Sequence, residues 1–279
     1  MDSLDDLCRQ AARAPFVQLY LDYDGTLADF VKTPDIILVE ENLVDLIAQI
    51  HRLPGVFIAV ISGRTLAHIQ KLLPIPGLLK CGTYGIETQY PDGQISRRMS
   101  LSQVRPKIMQ LQPLWQQLIN GKRGYFLENK DWALALHARF ADEREQREVL
   151  AQALDIADDF LHNDTFTLLG GERFLEYAPR AANKSRTVER IQTHMTPKGA
   201  FTIYFGDDDK DEEAFKAVHK YRGYAVRVTP KTTVTNADFR VDKPAQVRSW
   251  LSEFMKERKR QHEYLPHHVR IRDESEVTK

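Results

Sequence analysis

The sequence predicts an α/β protein: a parallel sheet with helices on both faces, interrupted by a smaller α+β insert. Three observations carry this. Short unbroken apolar runs, as expected of strands buried on both faces, each break off into a polar loop. Between them lie stretches with apolar residues at helical spacing. From about residue 92 to 178 that rhythm gives way to hairpins and charged helices, and then it returns.

Taken in order, 16–21 reads as a buried strand that ends abruptly in Asp22-Tyr23-Asp24-Gly25-Thr26. Residues 40–52 form an amphipathic helix. A second apolar strand, 56–61, runs into Ser62-Gly63-Arg64, and the helical stretch after it stops at Pro74. Residues 78–81 lead into Gly82-Thr83-Tyr84-Gly85, and Pro91-Asp92-Gly93 is a turn. In the insert, 101–119 reads as a helix bent or split by Pro106 and Pro113. Strands are expected at 125–129, 132–139, 166–169 and 173–177, with a charged helix over 141–161. The first rhythm resumes with a helix at 183–194 and a strand at 201–205 ending in Gly206-Asp207-Asp208-Asp209-Lys210-Asp211. A helix over 212–220, strands at 224–228 and 238–241, and a helix over 244–257 complete it. The expected domains are therefore a core of 1–97 and 179–257, an insert of 98–178, and a flexible charged tail of 258–279 that carries His267 and His268.

Composition narrows the function. The 279 residues are 42% hydrophobic and 28% charged, enough apolar material for a sizeable core. Basic and acidic residues balance at 39 each, so no strong field gathers nucleic acid or a membrane surface. The two cysteines, Cys8 and Cys81, suggest no disulfide framework, and the acidic start does not read as a secretory signal. With no apolar run near the roughly 20 residues of a membrane helix, a soluble cytoplasmic protein is expected.

Three polar loops follow three apolar strands: Asp22/Asp24, Ser62, and Asp207/Asp208/Asp211. In open parallel sheets, ligands bind at the carboxyl ends of the strands, so neighbouring strands would bring these loops together. Clustered carboxylates repel one another, and oxygen ligands of this kind suit Mg²⁺. Such a site is equipped for phosphoryl transfer: one carboxylate as nucleophile, a second as acid and base, a lysine on the phosphate. Asp22 and Asp24 lie at i and i+2, on one side of an extended segment, and Gly25 lets the chain turn afterwards.

These motifs carry a family resemblance. LDYDGTL (21–27) resembles motif I of the haloacid dehalogenase (HAD) superfamily, Ser62 in ISGR its motif II, Lys184 in ANK its motif III, and GDDDKDEEAF (206–215) its motif IV. Over about residues 16–252 the chain is similar to trehalose-6-phosphate phosphatases, through DYDGTLA, ISGR, a G-x-x-G loop, the cap strand LALHAR, E-x-x-P and the acidic motif. The resemblance implies a HAD-like Rossmannoid core with an inserted α+β cap of the C2 type. It implies a Mg²⁺-dependent hydrolase of a small sugar phosphate, most closely trehalose 6-phosphate. The nearby alternatives are another glycosyl phosphate and a catalytically silent sugar-phosphate-binding module. It implies a monomer, with a trehalose-phosphate synthase as the macromolecular partner to consider.

Carried over residue by residue, the resemblance makes Asp22 the nucleophile and a metal ligand. Asp24 becomes the acid/base, giving its main-chain carbonyl to the metal. Asp207 completes the ligands with Asp208 and Asp211 in support. Ser62 and Lys184 hold the phosphate, Thr26 and Gly63 fix the loops, and Arg64 reaches toward the substrate. Lys130, His137, Arg139 and Glu176 face the sugar. The chain departs from the usual pattern at Tyr84, Ala138, Ala178, Ser185 and Lys210, with Arg180 two residues beyond Ala178. Read without the resemblance, Lys130 is a solvated strand lysine, His137 a structural or surface histidine, and Glu176 half of a plain salt bridge.

Overall fold

The computed structural model describes residues 3–29, 38–161, 165–171 and 173–264. The core sheet has eight strands in the order β12-β11-β10-β1-β2-β3-β4-β5. Its centre is β1 (Val17–Leu21), flanked by β2 (Val56–Ile61) and, after a long excursion, β10 (Phe201–Gly206). Both pairings are parallel and in step: Leu21 lies opposite Val60 on one side and Phe205 on the other. The loops that follow these strands therefore emerge side by side, at the switch in strand order. Beyond β2 come β3 (Leu79–Gly82) and the antiparallel β4 (Glu87–Gln89) and β5 (Ile95–Arg97); beyond β10 come β11 (Tyr224–Val228) and β12 (Phe239–Val241).

Helices cover the sheet. α2 (Glu41–His51) buries Leu43, Ile47 and Ile50, and α3 (Leu66–Leu72) is capped by the Thr65 side chain. α6 (Lys184–His194) and α7 (Asp211–Lys220) pack together, α6 capped by Asn183. α1 (Leu4–Arg13), unforeseen in the sequence, is capped by Ser3 and buries Leu7, Cys8, Ala11 and Ala12 against α8 (Pro244–Tyr264). α8 runs past 257, where the charged sequence suggests fraying. Arg258 is only 3% exposed and donates to the carbonyl oxygens of Ala12, Ala14, Pro15 and Pro54. Those bonds hold a charge that the sequence alone assigns to solvent. The remainder of the expected tail, with His267 and His268, lies outside the described residues.

Between β5 and α6 the chain builds a second sheet, β6 (Phe126–Asn129), β7 (Leu134–His137), β9 (Phe174–Pro179) and β8 (Phe166–Gly171), antiparallel in the order β6-β7-β9-β8. α4 (Leu101–Ile119) and α5 (Glu143–Asp158) pack on it and on each other. α4 is one continuous helix despite Pro106 and Pro113. Each proline removes a backbone donor, but Val104, Ile108, Leu111, Trp115 and Ile119 form one buried face that offsets the loss. Tyr84 and Ile86, from the core side, join the same apolar cluster as Trp132, Tyr177 and Ala178 of this cap. Among the described residues no helix is long and apolar enough to cross a membrane.

Candidate active site

A cavity of about 600 Å³ lies between the two sheets, at the carboxyl ends of β1, β2 and β10. Its core wall includes Asp22, Asp24, Ser62, Arg64, Lys184, Asp207 and Asp208; its cap wall includes Glu128, Lys130, His137, Arg139, Phe174 and Glu176. Twelve of the fourteen residues singled out from sequence, Gly63 among them, thus meet in one space. Thr26 and Asp211 do not line it. Both are completely buried beneath it.

Asp22 follows β1 directly, and its amide donates to the Phe205 carbonyl at 3.0 Å, continuing the strand ladder into the loop. Its carboxylate is 4% exposed as a residue and accepts from Lys184 Nζ at 3.0 Å. Lys184 sits in the first turn of α6, and it also donates to Asp211 Oδ1 at 2.6 Å. Asp211 is an organiser: its oxygens accept from Tyr204 Oη (2.6 Å) and from the amides of Asp207 (3.1 Å) and Asp208 (3.2 Å). Gly206 is required beside it, because a Cβ there would stand 2.3 Å from the Asp211 carboxyl carbon. Thr26 Oγ1 reaches Asp207 Oδ1 at 3.5 Å, so its place is beneath the acidic loop. Thr26, read from the resemblance as fixing its loop, does not reach the cavity.

Arg64 grips Asp24 with two parallel bonds of 2.7 Å, and its amide donates to Ser62 Oγ at 3.1 Å. The guanidinium expected to reach substrate is thus engaged in aiming the acid/base candidate. Gly63 lies against the Tyr84 ring, where a Cβ would come within 2.7 Å of three ring and hydroxyl atoms.

The electrostatics of this floor are unbalanced. Burial pushes the Asp22 carboxyl up; Lys184 opposes this, while Asp208 and Asp24 add to it. Asp207 is raised well above the usual range by burial and then by Asp208 and Asp22. One oxygen each of Asp22, Asp207 and Asp211 lie within 4.8 Å of one another. Because Asp211 is already saturated by its donors, the oxygens open to a cation are those of Asp22 and Asp207, with Asp208 beside them. An all-oxygen, electron-rich set of this kind fits a hard divalent ion.

The cap wall is different. Glu176, 1% exposed, accepts from Lys130 Nζ (2.9 Å), Tyr84 Oη (2.7 Å) and Lys210 Nζ (2.8 Å). Burial works against its charge, but Lys130 and Lys210 outweigh burial and hold it far below the ordinary carboxylate range. Glu128, which sequence reasoning missed, bonds His137 Nε2 at 3.0 Å and lies 3.8 Å from Lys130. A signal existed: Glu128 and Lys130 are spaced at i and i+2, the spacing of one strand face. Two departures from the family pattern, Tyr84 and Lys210, also meet here. Ala178 is buried in the cap's apolar cluster and Arg180 is exposed outside the cavity lining.

A parallel sheet with its acidic loops at the switch point, capped by an inserted antiparallel sheet, is a HAD-like fold. The family model described as Trehalose-phosphatase matches residues 20–245, and the chain belongs to the trehalose-phosphatase family. It is 28% identical over 255 residues to a bifunctional trehalose-6-phosphate synthase/phosphatase of Thermoproteus tenax, covering 90% of this chain and 33% of that protein. It is 26% identical to a probable trehalose-phosphate phosphatase of Sinorhizobium fredii, covering 78% of this chain and 80% of the relative. With the Mycobacterium bovis trehalose-phosphate phosphatase the identity is 29%, over 85% of this chain and 60% of that one. The chain thus spans only a third of the first relative and three-fifths of the third. The fold is shared with the C-terminal domain of Candida albicans trehalose-6-phosphate phosphatase (TM-score 0.81, 20% identity, covering 91% and 97% of the two chains). It is also shared with the C-terminal domain of a C. albicans trehalose synthase regulatory protein (TM-score 0.69, 12% identity, 88% and 96%).

Proposed function

We propose that this chain is a Mg²⁺-dependent phosphomonoesterase that hydrolyses trehalose 6-phosphate to trehalose and phosphate through an aspartyl phosphate on Asp22. The observation that carries the reading is Asp22 itself: a buried carboxylate at the cavity floor, bonded to Lys184 and facing a cap wall of hydrogen-bonding groups. Asp22, Asp207 and Asp208 would hold the cation, with the main-chain carbonyl of Asp24. When bound, the cation offsets negative charge on the phosphate oxygens.

Asp22 attacks phosphorus in line, and the bond from phosphorus to the sugar oxygen breaks. Asp24 gives that oxygen its proton and is left as the carboxylate that Arg64 pairs with. Asp24 then takes a proton from water, which attacks the same phosphorus and frees Asp22. Ser62 and Lys184 steady the phosphate through both displacements. Lys130, Glu176, His137 and Arg139 offer donors and acceptors that suit sugar hydroxyls. The synthase in the T. tenax relative's name makes association with such an enzyme part of this reading, with the chain itself a monomer.

The test is phosphate release from trehalose 6-phosphate, sucrose 6-phosphate, glucose 6-phosphate and a glycosyl-phosphoglycerate, with and without Mg²⁺, beside Asp22→Asn. Metal-dependent turnover of trehalose 6-phosphate, lost in the variant, is expected. Turnover of a different member overturns the substrate, and no release from folded protein overturns the enzyme reading.

A further inference from the structure

Lys210 belongs to no step above, yet its ammonium is held from both the core and the cap. It stands at the N-terminal end of α7, two residues after Asp208, and its backbone amide donates to Asp208 Oδ1 at 2.9 Å. Its side chain leaves the core and reaches the cap. Nζ lies 2.8 Å from Glu176 Oε2 and also bonds Tyr84 Oη. It sits 4.5 Å from the centre of the Tyr84 ring and 4.2 Å from the centre of the Phe174 ring. Tyr84 is a core residue between β3 and β4, whereas Phe174 and Glu176 lie at i and i+2 on cap strand β9. One cation is therefore held between the hydroxyl of a core tyrosine and a cap ring, and it is paired with a cap carboxylate. Tyr84 holds its side of the arrangement at a positive φ of 56°, a conformation that a bulky residue adopts only when its surroundings impose it.

We propose that Lys210 is a positioning residue that clasps the cap to the acidic loop of the core through Phe174, Glu176 and Tyr84. The inference rests on the phosphatase reading for its catalytic consequence, but not for the clasp. An ion pair that is 14% and 1% exposed on its two side chains, with the Phe174 ring and the Tyr84 hydroxyl against the ammonium, is shielded from water and from salt. The clasp preorganises the closed cavity, so that less ordering remains to be done when a sugar binds. Because Lys210 shares its loop with Asp207 and Asp208, closing the cap also fixes the acidic floor.

Hydrogen exchange of the full chain without substrate tests the clasp directly, using Lys210→Met and Lys210→Arg. The methionine variant should exchange faster in β9 than wild type, with β1 and β10 unchanged, and arginine should restore protection. Phe174→Leu, which keeps an apolar side chain and removes the ring, should show a smaller effect of the same kind. In turnover of trehalose 6-phosphate, Lys210→Met should raise KM about tenfold while kcat falls no more than about threefold. Unchanged exchange in β9 of Lys210→Met overturns the clasp, whatever the activity. Faster exchange in β9 without turnover of any sugar phosphate by wild type keeps the clasp and overturns the phosphatase reading instead.

Discussion

The floor of the cavity and its cap wall are built from the same residue types, yet their charges are balanced in opposite senses. On the floor, Asp22, Asp207, Asp208 and Asp211 surround one lysine, Lys184, and burial drives Asp22 and Asp207 upward toward protonation. On the wall, Glu176 and Glu128 meet Lys130, Lys210 and His137, and burial is overcome, so both glutamates are held low. The floor is left short of positive charge, as suits a place that receives a cation and attacks a phosphate. The wall is complete without a ligand. The proposed chemistry thus falls where the folded chain is electrostatically least satisfied, and the proposed recognition where it is most satisfied.

Breaking the floor should cost activity rather than stability. Asp22→Asn is expected to lower kcat by at least about a thousandfold, as loss of a nucleophile does. Its melting temperature in EDTA should be no lower than that of wild type, because a raised, crowded carboxylate has been removed. A clear drop in melting temperature would show that the floor is structural. Breaking the wall should do the reverse. Glu176→Gln leaves Lys130 and Lys210 facing each other and should destabilise the fold by about 3–5 kcal/mol near neutral pH, read by denaturant unfolding.

The sign of the pH dependence follows from the depressed value of Glu176. Its stabilisation is present above the unfolded carboxylate value of about 4.3 and is lost as pH falls toward the folded value. The gap between wild type and Glu176→Gln should therefore narrow on acidification below that point. A gap that stays constant across the acid range would contradict the pairing.

Two smaller effects sharpen the contrast. Mg²⁺ at a hundred times its dissociation constant should stabilise wild type by about 2.7 kcal/mol, and Asp207→Asn should remove most of that gain in thermal unfolding. His137→Ala, which takes one hydrogen bond from Glu128, should cost about 1 kcal/mol and should leave the Mg²⁺ response intact.

Much of the floor was legible in the sequence because its signals are local. Each loop announces itself as a polar break after an apolar run, and in-step parallel pairing then brings the breaks together. The wall was less legible because its partners are far apart in the chain. Lys210 and Glu176 are 34 positions apart, and Tyr84 and Glu176 are 92 apart. Lys210 therefore read only as a replaced residue, and Glu176, without the resemblance, as half of a plain salt bridge. Two misreadings of the fold share one cause. Pro106 and Pro113 were expected to bend or split their helix and the charged run from Arg258 to be flexible, but tertiary burial of an apolar face and four backbone acceptors decide those segments. α1 escaped notice because its apolar face is short and lies in a polar stretch, and only its packing against α8 makes it a helix of the core.

The central claim is that Asp22 is the atom-bearing nucleophile of this floor. The direct measurement is to mix the protein and Mg²⁺ with phosphate-labelled trehalose 6-phosphate, quench in acid within one turnover, and map the label by peptide mass spectrometry. The account predicts an acyl phosphate on the peptide carrying Asp22, absent from Asp22→Asn and present in Asp24→Asn. Turnover that continues with the label on another residue, or in the Asp22→Asn protein, would contradict it.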